Sequence, residues 1–202
     1  MSRKALEHLK SVDPVLEGLM DRIGPITIRA RRLPVFQSLI EAIIYQQLNG
    51  KAASTILGRF KALFGDGSFP TAEQVLAMEL ERLRSAGLSR PKANYIRGIS
   101  ESAAAGTLPT LRQCGELEDA EIVERLTELK GVGRWTAEMF LIFSLGRPDV
   151  LPVHDFGVRR GFQLAYRKRK LPEPEQLARF GEKWRPYRTI AAMYLWRVLD
   201  TP

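Results

Sequence analysis

The residues best suited to chemistry lie in two short segments of the second half of the chain. The first, LKGVGRWTAEMFLIF (129–143), places Gly131 and Gly133 between two stretches with helical spacing. Glycine accepts positive φ angles and leaves backbone N–H groups uncovered, and a helix that starts after the turn directs its N-terminal amides toward it. The turn is therefore suited to bind a phosphate, although a tight helix–helix connection without a ligand has the same pattern.

The second segment, LPVHDFGVRRG (151–161), carries Asp155 after Pro152, at the predicted start of a helix. A carboxylate can act as a base or stabilise a developing positive charge, but an aspartate here is also a common N-terminal helix cap. The order of these features makes the pattern specific. A helical hairpin is followed, about twenty residues downstream, by a loop, an acid and another helix.

Two neighbours of Asp155 compete for a chemical role. Asp149 is the nearest other acid, but Arg147-Pro148-Asp149 is typical of a turn. His154 is a candidate proton carrier, or a residue that only fills space or bonds the backbone. The sequence favours Asp155 over Asp149 and leaves the role of His154 open.

The elements that position these segments are predicted to be helices, because strand-like alternation is nearly absent and apolar residues recur at helical spacing. Asp13-Pro14, Thr71 with Gln74, and Ser89 before Pro91 are typical of helix starts. The sequence therefore predicts an all-α fold of many short helices. In its second half we expect helices at 119–128, 134–144, 155–166, 174–180 and 187–200.

The composition narrows the function classes. The chain has 202 residues, 45% of them hydrophobic, and a formal net charge of +8. This charge favours polyanionic partners, nucleic acid first, although a basic protein without such a partner has the same composition. Its single cysteine, Cys114, excludes a disulfide framework, a four-thiolate zinc site and a four-cysteine iron–sulfur cluster.

The sequence also bears on compartment. Residues 1–10 are charged and lack the apolar run of a signal peptide, and no stretch is long and apolar enough to span a membrane. We therefore expect no membrane association and a cytoplasmic protein, or a nuclear one if the source is eukaryotic.

With these motifs in place, the chain resembles a known family. LKGVGRWTA is similar to the helix-hairpin-helix of the base-excision DNA glycosylase superfamily, and LPVHD is similar to its loop with the catalytic aspartate. IIYQQLNGKAAS (43–54) resembles its DNA-wedge segment, GLSRPKANYI (87–96) its second DNA-facing turn, and AAMYLW (191–196) its closing helix. The resemblance covers about 34–196 and is nearest to the 3-methyladenine DNA glycosylase II type.

Three departures distinguish the branches of this superfamily. The bifunctional glycosylase/lyases carry a lysine nucleophile two residues after the second hairpin glycine, where this chain has Trp135. The branches that carry an iron–sulfur cluster need four cysteines, whereas this chain has one. The larger alkylbase enzymes have an N-terminal α/β domain, whereas here the helical core begins within about thirty residues. The resemblance therefore implies a compact, monofunctional enzyme without lyase activity or an iron–sulfur cluster, and with no required cofactor.

The resemblance implies one domain over 1–202 with two small helical lobes and a DNA- and base-binding cleft between them. One lobe spans about 34–110, and the other spans about 111–202 together with the N-terminal helices. The enzyme is expected to act as a monomer on double-stranded DNA that contains alkylated bases. It flips the base out, hydrolyses the N-glycosidic bond and leaves an abasic site.

The resemblance also implies roles for individual residues. Asp155 is the catalytic carboxylate. Leu48 is the wedge that fills the vacated stack, or alternatively a residue that caps the core. The remaining implied residues are base-pocket walls at Trp135, Met139, Phe156 and Trp196; DNA contacts at Gln47, Asn49, Ser89, Lys92, Lys130, Gly131, Gly133 and Arg134; and carbonyls for a structural Na⁺ or K⁺ at Thr127, Leu129 and Val132.

Two other functions remain as alternatives. One is a non-catalytic DNA-binding module that keeps the hairpin as a phosphate clamp, against which Asp155 argues. The other is a glycosylase for a different base, such as a mismatched adenine or an oxidised guanine. The missing cysteines and lysine count against those branches, and the sequence does not rank 3-methyladenine, 7-methylguanine and ethenoadenine as substrates.

Overall fold

The computed structural model describes residues 3–27, 29–65 and 67–200, and every regular element within these ranges is helical. The predicted all-α class is therefore confirmed. None of the described helices is long and apolar enough to cross a membrane. In chain order the α-helices are α1 Arg3–Val12, α2 Pro14–Ile23, α3 Val35–Tyr45, α4 Gly50–Ala62, α5 Ala72–Ala77, α6 Leu80–Arg84, α7 Arg90–Ala104, α8 Leu111–Glu116, α9 Asp119–Thr127, α10 Arg134–Phe140, α11 Phe156–Ala165, α12 Pro174–Gly181 and α13 Arg188–Arg197.

The chain divides into two compact units. Unit 1 comprises Met1–Arg31 with Leu141–Pro202, and unit 2 comprises Arg32–Phe140. The sequence placed the boundary near residue 110 and grouped the hairpin with the C-terminal part. In the structure the hairpin helices α9 and α10 belong to unit 2, because α10 packs against both α3 and α9.

Unit 1 is held by the packing of α11 against α13. A Cβ atom on Gly161 would lie 1.9 Å from the carbonyl oxygen of Leu195, so only glycine permits this approach of the two helices. The core around this contact contains Leu9, Leu16, Val158 and Trp184, all fully buried. The predicted helix at 134–144 is in part wrong, because the α-helical bonding of α10 ends at Phe140 and a π-helical turn follows at Leu141–Leu145.

A buried carboxylate, Asp13, joins three elements of unit 1. As predicted, it caps α2, accepting the backbone N–H groups of Val15 and Leu16 at 3.1 and 3.3 Å. Its Oδ2 also accepts the Tyr166 hydroxyl, the Trp184 indole N–H and the Lys183 ammonium at 2.5, 2.8 and 3.0 Å. Burial raises the pKa of Asp13, but these hydrogen bonds outweigh it, so the net pKa is lowered from its ordinary value.

We expect Asp13→Ala to lower the free energy of unfolding by about 3 kcal/mol or more, because it strands several buried donors and an ammonium. Asp21→Ala, which breaks an exposed ion pair with Lys10, should cost less than about 1 kcal/mol. Chemical denaturation at neutral pH measures both. Equal losses in the two variants would contradict the role assigned to Asp13.

The lowered pKa of Asp13 also gives a pH dependence. The unfolded chain takes up the proton at a higher pH than the folded one, so acid favours unfolding. The stabilisation by Asp13 is therefore present above its ordinary pKa of 3.8 and is lost as the pH falls through the lower folded value. The difference in the free energy of unfolding between wild type and Asp13→Ala should therefore narrow as the pH falls below 3.8.

Unit 2 is arranged around α7, which packs against α3, α5 and α6. The predicted cap at Ser89 is present, and its hydroxyl accepts the Lys92 backbone N–H at 3.4 Å. Thr71 and Gln74 form the predicted capping box of α5. Because α7 is long and central, the residues on its exposed first turns have fixed positions relative to the C-terminus of α3 and the hairpin.

Candidate functional site

Asp155 stands at the N-terminus of α11 with its carboxylate held from two sides. Its Oδ1 accepts the backbone N–H of Val158 at 2.7 Å and the indole N–H of Trp196 at 2.8 Å. The N-terminal end of a helix also attracts negative charge. Asp155 is thus an N-cap, as one interpretation of the sequence held, and it is half-buried. Capping does not compete with a chemical role, because both depend on an oriented carboxylate.

Gly157 makes the bond between Asp155 and Trp196 possible. A Cβ atom at this position would lie 2.9 Å from Cδ1 of Trp196 and 3.1 Å from Oδ1 of Asp155. The Trp196 ring also stacks on Phe143, with ring centroids 6.0 Å apart and planes 27° apart. Gly157 and Phe143 were not among the site residues predicted from the sequence. The glycine two residues after the aspartate was the available signal, whereas Phe143 belongs to an apolar run typical of core.

A cavity in unit 1 adjoins the Phe143 ring of this pair. It has a volume of about 460 Å³ and is lined by Thr27, Arg29, Phe143 and Met193. Phe156, predicted as a pocket wall, directly follows Asp155 and is 68% exposed. His154 is exposed as well. The Asp155 carboxylate therefore contacts Trp196, and the open space borders the ring on which Trp196 stacks, Phe143.

Asp149 is engaged in a different interaction. Its carboxylate accepts Arg188 Nε at 2.8 Å and Arg185 Nη1 at 2.8 Å, and Arg188 also donates to the Asp149 carbonyl. Two guanidinium groups therefore neutralise this acid and tie it to α13. The geometry supports the choice of Asp155 over Asp149.

The hairpin turn between α9 and α10 gives its two glycines different roles. Gly131 has φ of +89°, and a Cβ there would lie 2.4 Å from ring atoms of Tyr95. Gly133 is exposed, does not share this positive φ, and has nothing within 4 Å of a Cβ position. Val132 between them is buried and donates its N–H to the Leu129 carbonyl at 3.0 Å. Gly131 is therefore needed to form the turn, while Gly133 leaves open backbone at its surface.

The wedge loop, defined here as residues 46–49, follows the end of α3. Leu48 is 40% exposed, so it is not part of the core, and Gln47 has a positive φ of 57°. Asn49 caps α4 by accepting the Ala52 N–H at 2.9 Å. The loop thus presents an apolar tip between two exposed amide side chains.

The Lys92 side chain, predicted as a DNA contact, forms hydrogen bonds within the protein. Its ammonium donates to the backbone carbonyls of Ile44 and Gln46 at 2.9 and 2.8 Å, and burial lowers its pKa. The side chain thus lies against the end of α3 rather than extending into solvent. By contrast, Ser89, Lys130 and Arg134 are exposed.

Residues 40–186 match the HhH-GPD superfamily of base excision DNA repair proteins, which is most of the chain. The chain belongs to this superfamily. The family predicted from the hairpin and Asp155 motifs is therefore confirmed.

Relatives within the HhH-GPD superfamily match almost the whole chain. DNA-3-methyladenine glycosylase 1 of Schizosaccharomyces pombe is 39% identical over 197 residues, covering 96% of this chain and 86% of that protein. The structure of 3-methyladenine DNA glycosylase from that organism with abasic DNA has a TM-score of 0.87 at 38% identity, covering 96% and 95% of the two chains. DNA-3-methyladenine glycosidase of Bacillus halodurans also gives 0.87 at 38% identity, covering 99% and 90%.

The remaining predicted residues of this HhH-GPD chain divide between the two units. Trp135 and Met139 lie one turn apart on α10 in unit 2, so they share a helix face; Trp135 is 42% exposed and Met139 half-buried. Asp155, Phe156 and Trp196 belong to unit 1. Among the described residues, no cluster of three or more His, Cys, Asp or Glu side chains could hold a metal ion.

Proposed function

We propose that this protein is a DNA glycosylase of the 3-methyladenine type, which removes alkylated bases from duplex DNA with Asp155 as its catalytic carboxylate. The observation that carries the proposal is the Asp155 carboxylate, fixed by the α11 N-terminus and Trp196 in a member of a base-excision repair superfamily. We also propose that the enzyme works where DNA is, in the cytoplasm of a bacterium or the nucleus of a eukaryote. Action as a monomer stays a prediction.

The chemistry needs a negative charge near the sugar. As the N-glycosidic bond breaks, the deoxyribose becomes positively charged, and a fixed carboxylate stabilises that state and orients water for attack. Alkylated purines such as 3-methyladenine and 7-methylguanine already carry a positive charge, so they leave without a general acid. Electron-rich rings bind such cationic bases by cation–π attraction. Trp135 is the leading candidate by resemblance, and Trp196 is the ring that bonds Asp155.

The flipped base costs a few kcal/mol of unstacking, and the exposed Leu48 is suited to fill the gap it leaves. The open backbone at Gly133, with Lys130 and Arg134 beside it, is suited to contact phosphates.

We further propose a monovalent cation at the carbonyls of Thr127, Leu129 and Val132. The Leu129 carbonyl accepts one N–H group and keeps a second lone pair, which supports a cation site at this turn. A cation there would add positive charge near a bound phosphate. Comparing the DNA affinity in K⁺ with the DNA affinity in a bulky organic cation, at equal ionic strength, tests this cation site.

An abasic-site cleavage assay tests the proposed function. Duplex DNA treated with a methylating agent is incubated with the protein and then with alkali, which cuts at abasic sites. We expect alkali-dependent cuts at methylated purines and none in undamaged DNA. Cuts only in duplexes with 8-oxoguanine or its adenine mismatch would favour a different base specificity, and tight binding without cuts would favour a non-catalytic module.

We expect no strand cleavage by lyase chemistry, because Trp135 stands where a Schiff-base lysine would be needed. Borohydride should therefore trap no covalent protein–DNA adduct during excision of methylated bases. An adduct formed in amounts comparable to the product would contradict a monofunctional mechanism.

Leu48→Ala should reduce base flipping without destabilising the fold. The side chain is exposed, so its truncation should cost well under the ~2–5 kcal/mol of a core Leu→Ala. Excision should fall more for correctly paired lesions than for mispaired ones, because mispaired bases cost less to extrude. Leu39→Ala in the fully buried core of α3 is the matched control, with a large stability loss and equal activity losses on both duplexes. Strong destabilisation by Leu48→Ala would show instead that Leu48 is a core residue.

A further inference from the structure

The wedge loop has a backbone conformation that needs support. Gln47 has a positive φ of 57°, which costs a non-glycine residue about 1–2 kcal/mol. Residues 47–49 are all exposed, so burial of their own side chains does not hold the loop. Its support must therefore come from its neighbours.

The first support is the ammonium of Lys92. It bridges the carbonyls of Ile44 and Gln46, at 2.9 and 2.8 Å, where α3 ends and the wedge loop begins. The carbonyl end of a helix carries partial negative charge, so a cation is favourable there, and charge-assisted hydrogen bonds are stronger than neutral ones. Lys92 thus fixes the point from which the loop departs.

The second support links the wedge loop to the hairpin. The side-chain amide of Gln46 donates to the Gly131 carbonyl at 3.0 Å and to the Thr136 hydroxyl at 3.2 Å. These partners lie 85 and 90 residues away in sequence, one in the hairpin turn and one in α10. Tyr95, about one turn after Lys92 on α7, packs its ring against Gly131. A single helix, α7, therefore contacts both the loop and the hairpin.

We propose that Lys92 and Gln46, with Tyr95, form a positioning clamp that holds the wedge loop in fixed register with the hairpin. The clamp is not a DNA contact: the hairpin is its fixed side, and its effect is on the position of the loop that carries Leu48. This proposal rests on the proposed function, since it assigns how the residue that assists base flipping is held in place. It differs from a phosphate role for Lys92, which would put the ammonium on DNA.

Lys92→Met tests the clamp, because methionine keeps most of the apolar stem and removes the charge. We expect excision from paired lesions to fall about tenfold or more, because the substitution removes two charge-assisted hydrogen bonds, with a smaller loss on mispaired lesions. The affinity for undamaged duplex and the salt slope of that affinity should not change. Hydrogen exchange of the amides of residues 46–49 should become faster. Arg112→Met, which removes one positive charge from a side chain 90% exposed on α8, should leave all of these unchanged.

The phosphate alternative predicts the opposite pattern. If Lys92 binds a phosphate, Lys92→Met should weaken binding to all duplexes alike and lower the salt slope by about one, without faster exchange in the wedge loop. That result would overturn the clamp while leaving the proposed function in place. If the wild-type protein excises no methylated base, the proposed function fails, and the exchange rates of residues 46–49 still decide whether the clamp exists.

Gln46→Ala gives a second, independent variant in case Lys92→Met folds poorly. It removes the link to Gly131 and Thr136 but keeps the backbone carbonyl that Lys92 binds. In a shared clamp, the fold-loss of the double variant on paired lesions should be clearly smaller than the product of the two single losses. Multiplicative losses would show that the two side chains act separately and would overturn the proposal.

Discussion

Asp155→Asn should abolish base excision while leaving DNA binding intact or stronger. Asparagine has nearly the same shape, caps helices as well as aspartate, and keeps an oxygen that can accept the Val158 and Trp196 N–H groups. The substitution therefore removes little but the negative charge. Because that charge stabilises the positively charged transition state, we expect excision to fall by about 10³-fold or more. Removing an acid next to a polyanion should, if anything, favour binding.

Single-turnover excision of methylated bases, together with the Kd for duplex containing an abasic site, measures both effects. Asp149→Asn is the matched control, since it changes the nearest other acid in the same way. It should weaken the contacts with Arg185 and Arg188, lower stability and leave excision per folded molecule close to wild type. Substantial excision by folded Asp155→Asn protein, or a comparable loss in Asp149→Asn, would remove Asp155 from its assigned role.

The second large effect is expected at the hairpin glycines, where two identical substitutions should have different consequences. Gly131→Ala places a Cβ 2.4 Å from the Tyr95 ring and forces alanine to φ of +89°. We expect it to lower the free energy of unfolding by about 2–3 kcal/mol and to weaken DNA binding because the turn is displaced. Gly133→Ala has open space around its Cβ, so stability should change by less than about 0.5 kcal/mol.

Gly133→Ala should nevertheless weaken DNA binding, because a methyl group then covers backbone that a phosphate approaches. Thermal unfolding and the Kd for duplex DNA separate the two effects. Tyr95→Ala should partly rescue Gly131→Ala by removing the ring atoms, but it should not rescue Gly133→Ala. Unchanged DNA affinity in Gly133→Ala would remove the hairpin turn from the proposed interface.

Features that depend on the local order of residues could be predicted from the sequence alone. Asp155 was placed at a helix start because capping is a relation among residues three apart, and the structure shows that bond to Val158. The hairpin was found because Gly131 and Gly133 separate two helical periodicities within 15 residues. The all-α class followed from the same periodicities. These signals concern neighbours in the chain, so they are present before any tertiary packing.

Which groups distant in sequence come into contact depends on the packing of the helices and could not be predicted. The Trp196 indole reaches Asp155 across 41 residues, and the Gln46 amide reaches the hairpin across 85. Lys92 was predicted as a phosphate contact because an exposed lysine and a carbonyl-bound lysine look identical in sequence. The boundary between the units, at Phe140, was missed because the apolar run through the end of α10 is continuous. Such features depend on how close helices pack, and that distance is set by side chains far apart in the chain, as Gly161 against Leu195 illustrates.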